Sequence, residues 1–340
     1  MLTTLLPTSH SDEEGLDMST SGFSFISRDE VERALPMERC LQMARVAYEA
    51  LANGRVLSSS LGHVAAPKGD FLVKSSGLYV DDRLFVTVKV VAYFRHRSTE
   101  LGLPNIVGLI QLFDGATGEP LAVMESGLIT NLRTAAGTAV ALDCLALPQS
   151  RRLLVCGAGA QVLSHVEAVA AVRDLDVVRL WGRSQPKVAA TAVSLREHLP
   201  HLAIEIADDL SVAAGDSDLI VCLTAATSPY LRASDVRSGT TIAAVGSDTP
   251  EKRELSVELL ANSVVICDVT GQCAAVGELH HAIDAAAMTV EDVRAEIGQV
   301  LTGAVGGRLT DEEIIVFDST GTAVQDTAPA AAAYTFSHRS

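Results

Sequence analysis

The sequence predicts an α/β protein, with a doubly wound, Rossmann-type parallel sheet in its second half and a smaller α+β unit in front of it. After Pro148, apolar runs (RRLLVC, DVVRLW, LAIEIA, DLIVCLT, TTIAAVG, SVVICDV) alternate with helix-like segments. Strands apolar on both faces are what a parallel sheet covered by helices on both sides requires. Between Ser58 and Met124 the pattern is different: short β-rich runs such as FLVKSS, LFVTVKVVAYF and NIVGLIQLF, with DGATGEP as a hairpin turn before LAVME. These read as an antiparallel sheet.

The elements follow in order. Residues 1–22 are polar and small and read as a disordered leader. Ser27 with Glu30 makes a capping box. Pro36 suits the first turn of a helix in which Leu41, Ala44, Tyr48 and Leu51 recur at helical spacing until Asn53-Gly54 closes it. Thr289 with Asp292 reads as the cap of a helix through Leu301, and EEIIVFDST as a last strand. The Ala-rich stretch within 321–340 suits packing back on the front unit. The boundaries are therefore 23–147 with 321–340 for the front unit and 148–320 for the parallel-sheet unit.

Composition narrows the function classes. Hydrophobic residues make up 48% of the 340, too many for a disordered chain, yet no apolar run approaches the roughly 20 residues of a membrane helix. The N-terminus has no basic start ahead of an apolar core, so it does not read as a secretory signal. Asp+Glu number 42 against 26 Lys+Arg, and this net charge of −16 opposes nucleic acid and anionic membranes. The six cysteines have no C-x-x-C spacing. Cys156, Cys222 and Cys267 fall inside apolar runs, as buried free thiols of a reducing cytoplasm do. The histidines are dispersed, and no metal-ligand pattern is visible.

RRLLVC runs directly into Gly157-Ala158-Gly159-Ala160-Gln161-Val162 and then a helical segment. The first glycine permits a tight turn, the second lets a pyrophosphate approach the backbone, and the helix start supplies N–H groups and partial positive charge. Val162 replaces the third glycine of the usual fingerprint. A plain turn is the alternative, but the place between apolar strand and helix favours dinucleotide binding. The next strand ends in Trp181-Gly182-Arg183-Ser184 with Lys187 close behind, and no acid to hold a ribose hydroxyl. That basic loop favours NADP over NAD, or is simply solvated.

Three further segments stand out: TVKVVAYFRHRSTELGLPNIVGLIQLFD, ESGLITNLRTAAGTAVALDCLA and AAVGSDTPEKREL. With the GAGAQ turn and FDSTGTAVQD they resemble the ornithine cyclodeaminase/μ-crystallin family from about residue 24 to 335. The resemblance implies a homodimer formed through the front unit, a small imino or amino acid substrate, and site roles. Arg133 would hold the substrate carboxylate, which a guanidinium grips bidentately; the alternative is a surface arginine at a helix start. Lys89 would hydrogen-bond substrate beside the reacting carbon; the alternative is an outward-facing edge-strand lysine. Asp248 would be the acid/base, where a parallel strand ends; the alternative is a turn or cap aspartate before Pro250. Thr134, Thr224 and Gly246 join Gly157, Gly159, Ala160, Gln161, Val162, Arg183, Ser184 and Lys187 as cofactor-side candidates.

The departures from the family are informative. An upstream carboxylate-binding arginine gives way to Val56-Leu57-Ser58-Ser59-Ser60-Leu61, so Ser58 is the substrate-side candidate there. The cyclodeaminase glutamate is missing near Lys74–Ser76, and the family Pro-x-Asn becomes Arg95-His96-Arg97. These imply a substrate contacted differently from ornithine, with extra anionic character met by Arg95, Arg97 or Lys74, unless those are solvated loop charges. The expected function is reduction or dehydrogenation at the carbon–nitrogen bond of an imino or amino acid with NADP(H) or NAD(H). The alternatives are a cyclodeaminase, a non-catalytic binding protein, and aldehyde or ketone reduction.

Overall fold

The computed structural model describes residues 23–338 apart from Arg95. The expected leader, residues 1–22, lies outside the described residues. The Ser27–Glu30 capping box forms, each residue's side chain bonded to the other's backbone N–H, and opens helix α1 (Arg28–Ala34). Helix α2 (Met37–Ala52) starts after Pro36, ends at Asn53, and buries Cys40, Ala44, Ala47 and Tyr48. These helices separate strand β1 (Ser24–Ile26) from β2 (Val56–Ala66), β3 (Gly69–Val80), β4 (Arg83–Tyr93), β5 (Ile106–Asp114) and β6 (Pro120–Glu125).

The six strands form one sheet in the order β1-β6-β5-β4-β3-β2. The four hairpin pairings are antiparallel as expected, but β1 joins β6 in parallel, so the sheet is mixed. Three residues are too few for a period-two pattern to register, and β1 is placed by the edge that β6 leaves open. On the inner face, Leu78, Ser76 and Lys74 of β3 stand opposite Phe85, Thr87 and Lys89 of β4, with Leu112 and Ile110 of β5 beyond. The closing helix, Val324–Ser337, covers this face, and the Thr327 hydroxyl reaches both Ser76 (2.7 Å) and Thr87 (2.6 Å). The outer face keeps Leu57, Val64, Phe71, Tyr79 and Leu109 between 37% and 59% exposed.

Helix α3 (Ser126–Leu145), buried along most of its length, leads to the second sheet. Its strands are β7 (Arg152–Cys156), β8 (Val177–Trp181), β9 (Ile204–Ile206), β10 (Leu219–Cys222), β11 (Thr241–Ala244), β12 (Val264–Cys267), β13 (Ala295–Glu296) and β14 (Ile315–Asp318). All pair in parallel, in the order β13-β12-β14-β11-β10-β7-β8-β9. The chain runs outward from β7 to β9 and then returns to β10 on the other side of β7. The crevice of this doubly wound sheet is therefore between β7 and β10. The box at Thr289 and Asp292 opens only a 3-10 turn, not a helix through Leu301. Arg294 is drawn aside to Glu313 (2.7 Å) and the Gly307 carbonyl (2.9 Å), β13 pairs with β12, and a separate helix covers Ile297–Leu301. Among the described residues no helix is long and apolar enough to cross a membrane.

Candidate active site

The glycine turn sits where β7 meets that crevice. Gly157 has φ +135°, outside the range of ordinary side chains, and a Cβ there would stand 3.0 Å from the Leu223 carbonyl beyond β10. A Cβ on Gly159 would meet nothing within 4 Å, so its backbone faces open space. Helix α4 (Val162–Val172) follows, with Val162 buried beneath it. His165 braces the turn: its ring bonds the Gln161 carbonyl at 2.8 Å and reaches the Thr138 hydroxyl on α3 at 3.3 Å. Burial pulls its pKa down to about 4. A strained glycine, an open approach to the backbone and an eleven-residue helix behind them fit a pyrophosphate. Arg183, Ser184 and Lys187 are exposed beyond β8, Ser184 and Lys187 at the start of helix α5 (Gln185–His198).

Three cations meet at the inner face of the first sheet. Lys89, on the interior strand β4 and 3% exposed, has its Nζ 2.6 Å from Asp326. Arg133, on α3, places Nε 3.3 Å from the other oxygen of Asp326 and donates from Nη1 to Gln325 (3.2 Å), which donates in turn to the Tyr48 hydroxyl (2.7 Å). Lys74, partly buried and directly opposite Lys89 on β3, donates to the Gly321 carbonyl at 3.0 Å. Burial lowers the Lys89 pKa to about 8, Arg133 and Lys74 adding to the fall while Asp326 opposes it. Burial works against ionisation of Asp326, but Lys89 and Arg133 hold its carboxyl below the usual value.

The loops are set by buried carboxylates. Asp268 accepts from Val269 N–H, the Ser319 hydroxyl, Thr320 N–H and Gly321 N–H, fixing the segment between β14 and the closing helix. Gly321, at φ +76°, lies so close to Arg133 that a Cβ would stand 2.6 Å from Nη1. Glu254 accepts from Thr224 N–H and hydroxyl, the Tyr230 hydroxyl and Gly246 N–H, tying together the loops after β10 and β11. Asp318 is pushed up to about 7 by burial and bonds the Glu278 and Leu279 amides. Cys267, Cys273 and Asp318, dispersed in the sequence, bring their sulfur and carboxylate atoms within 4.8 Å of one another. The Cys273 thiol is already bonded to Asp268 and to the Asp318 carbonyl.

The structure thus brings Lys89, Arg133 and Lys74 together, and Lys89 and Arg133 are neither edge nor surface residues. Asp248 is half-exposed in the loop after β11, paired with Lys252 rather than capping a helix, and near enough to Lys74 for its charge to favour that ammonium. Thr134 is buried, its hydroxyl bonded to the Thr130 carbonyl. Thr224 and Gly246 spend their N–H groups on Glu254, and a Cβ on Gly246 would collide with the Thr224 carbonyl at 2.2 Å, which explains that glycine without a ligand. Arg97 is tied into its own turn by the Pro104 carbonyl (2.9 Å). Arg95 and the side chain of Ser58 lie outside the described residues, although Ser58 itself falls at the irregularity of the β2–β3 ladder. Sequence reasoning missed Asp326, Gln325, Asp268 and Glu254. The lone acid in the small, apolar stretch VQDTAPAAAA was the available signal for Asp326.

A parallel sheet with a glycine turn at its switch point, together with a buried cationic cluster, is the framework of an NAD(P)-dependent oxidoreductase. Comparison with known proteins makes the assignment particular: the chain belongs to the ornithine cyclodeaminase/mu-crystallin family, whose model matches residues 24–338. An archaeal alanine dehydrogenase, a dimer with bound NAD, superposes with TM-score 0.86 and 31% identity, covering 92% of this chain and 95% of that one. The Δ1-pyrroline-2-carboxylate reductase of Thermococcus litoralis, in complex with NADH and L-proline, gives 0.87 and 27%, covering 93% and 97%. The iminosuccinate reductase of Paracoccus denitrificans, with NAD+, gives 0.83 and 29%, covering 93% and 96%. The protein is of the class acting on carbon–nitrogen groups.

Proposed function

We propose that the protein reduces an α-imino acid to the amino acid, or runs the reverse dehydrogenation, with a nicotinamide dinucleotide. The observation that carries this reading is the buried Lys89–Asp326–Arg133 cluster, near enough to His165 beneath the glycine turn for the Arg133 charge to act on it. Gly157, Gly159, Ala160, Gln161 and Val162 would hold the pyrophosphate, with Thr134, Thr224 and Gly246 lining the crevice nearby. The nicotinamide, when bound, supplies or accepts hydride at the substrate α-carbon.

The chain's own residues do the rest. The Nη edge of Arg133 binds the substrate carboxylate bidentately, oriented by Asp326 at Nε and Gln325 at Nη1. Lys89, ion-paired with Asp326 at 2.6 Å and within reach of the Thr130 hydroxyl at 3.5 Å, would present its positive charge to the reacting end. As the α-carbon takes hydride, the C=N electron pair moves to nitrogen, which takes a proton that Asp248 relays from water. The exposed, basic Arg183-Ser184 loop with Lys187 supports acceptance of a 2′-phosphate, while NAD(H) bound by similar structures supports NAD. Lys74 on β3, in the stretch where cyclodeaminases carry a glutamate, weighs against ammonia-eliminating cyclisation. The exposed apolar outer face of the first sheet supports a homodimer.

The test is oxidation of NADH and of NADPH by the purified protein, given 2-oxo acids with ammonia or methylamine, and cyclic imines. Oxidation that requires both oxo acid and amine, or a cyclic imine alone, is expected. Asp248→Asn is expected to lose at least about 100-fold in kcat while retaining cofactor binding. Full turnover in that variant removes the proton relay, and silence across the panel in the wild type removes the reductase reading.

A further inference from the structure

Lys74 adds a charge that the reaction as described does not need. It stands directly across from Lys89 in the β3–β4 register, so two ammonium groups share the inner face of one antiparallel pair. Like charges so placed destabilise a sheet. Lys89 has a carboxylate at 2.6 Å, but Lys74 has a single neutral acceptor, the Gly321 carbonyl at 3.0 Å. The nearby acids are spent elsewhere. Asp326 is shared between Lys89 and Arg133, Asp268 is filled by the donors of residues 319–321 and Val269, and Asp248 is paired with Lys252. Asp268 and Asp248 act on Lys74 only through their fields, so at contact distance the three cations share one carboxylate. A monocarboxylate bound to Arg133 leaves Lys74 with no carboxylate in contact.

We propose that the substrate is an α-imino dicarboxylate, and that Lys74 is the specificity residue that binds its side-chain carboxylate while Arg133 holds the α-carboxylate. Lys74 and Arg133 both touch Gly321, the first at its carbonyl oxygen and the second beside its Cα. Both cations border the same residue, which suits two carboxylates on a short spacer. The like-charge pair that costs the empty sheet becomes an asset once a dianion lies between the cations.

This inference rests on the carbon–nitrogen reductase reading. It is tested by measuring kcat/KM with ammonia and matched pairs of 2-oxo acids: oxaloacetate against 2-oxobutyrate, and 2-oxoglutarate against 2-oxopentanoate. The wild type is expected to prefer the diacid of each pair. Lys74→Met is expected to lower that preference about 100-fold, and Lys74→Arg to keep most of it. A wild type that prefers the monoacids, or a Lys74→Met variant that loses equally on both members of each pair, overturns the proposal. Titration of the cofactor-loaded protein with succinate and with butyrate gives a readout independent of turnover. If no amine donor supports oxidation, the reductase reading fails. A wild type that binds succinate over butyrate, with the difference lost in Lys74→Met, still upholds Lys74, and equal binding of the two overturns it. Far-UV circular dichroism and cofactor affinity establish that the variants are folded.

Discussion

At Lys89 an ammonium group is held out of water between one carboxylate and two other cations, and its pKa falls to about 8. The lysine is a cation below that value and neutral above it, so kcat/KM should be flat through neutral pH and decline above about 8, by up to about tenfold per unit. Lys89→Arg keeps the charge and should remove the alkaline decline, at whatever cost in absolute rate. A profile with the same decline in that variant assigns it to another group. Lys89 and Arg133 were legible through the family resemblance, and their apolar surroundings agree with it, since a charge there must face something polar. Asp326 follows the same rule, but the expectation that its tail packs back on the front unit did not say which side chains it would meet there. Glu254 and Asp268 lie beside loops rich in other polar groups, and only the fold shows which amides they collect.

Elements position these side chains through a few backbone decisions. The glycine turn was legible because strand, turn and helix are contiguous in the chain. The Gly321 turn was not, since its requirement comes from Arg133 on a different element. Its φ of +76° disfavours any side chain by roughly 1 kcal/mol, and a methyl would press on the guanidinium at 2.6 Å. Gly321→Ala should therefore raise KM for substrate about tenfold or more while leaving cofactor affinity near the wild-type value. Equal loss of both would mean that the turn supports the fold as a whole. The helix expected from Thr289 to Leu301 failed for a related reason: a good capping box fixes a start, but Arg294 and the edge of β12 decide how far the helix runs.

For the whole molecule, the alternation of apolar runs was enough to give the parallel sheet, because each strand and its crossover are neighbours in sequence. The mixed character of the first sheet was hidden, β1 being too short to carry a pattern. The outer face of that sheet presents Leu57, Val64, Phe71, Tyr79 and Leu109 to solvent. With a second copy seated there, light scattering should give about twice the 35.7 kDa chain mass. The double variant Phe71→Lys, Val64→Lys, whose two positions are cross-strand partners, should shift it to a monomer. A wild type that runs as a monomer at micromolar concentration rejects the dimer.

The closing helix also imposes an order on synthesis. Thr87 and Thr327, 240 residues apart, bond on the same face where Asp326 meets Lys89. A nascent chain that has exposed the first sheet but not yet residue 324 carries two opposed lysines and no carboxylate between them. That sheet stays electrostatically unfinished, and its inner face only partly covered by α1, α2 and α3, while the whole of the second sheet is made. The front unit therefore matures last although it is translated first, and an arrested or 3′-truncated message should yield a folded cofactor module attached to an open, chaperone-dependent sheet.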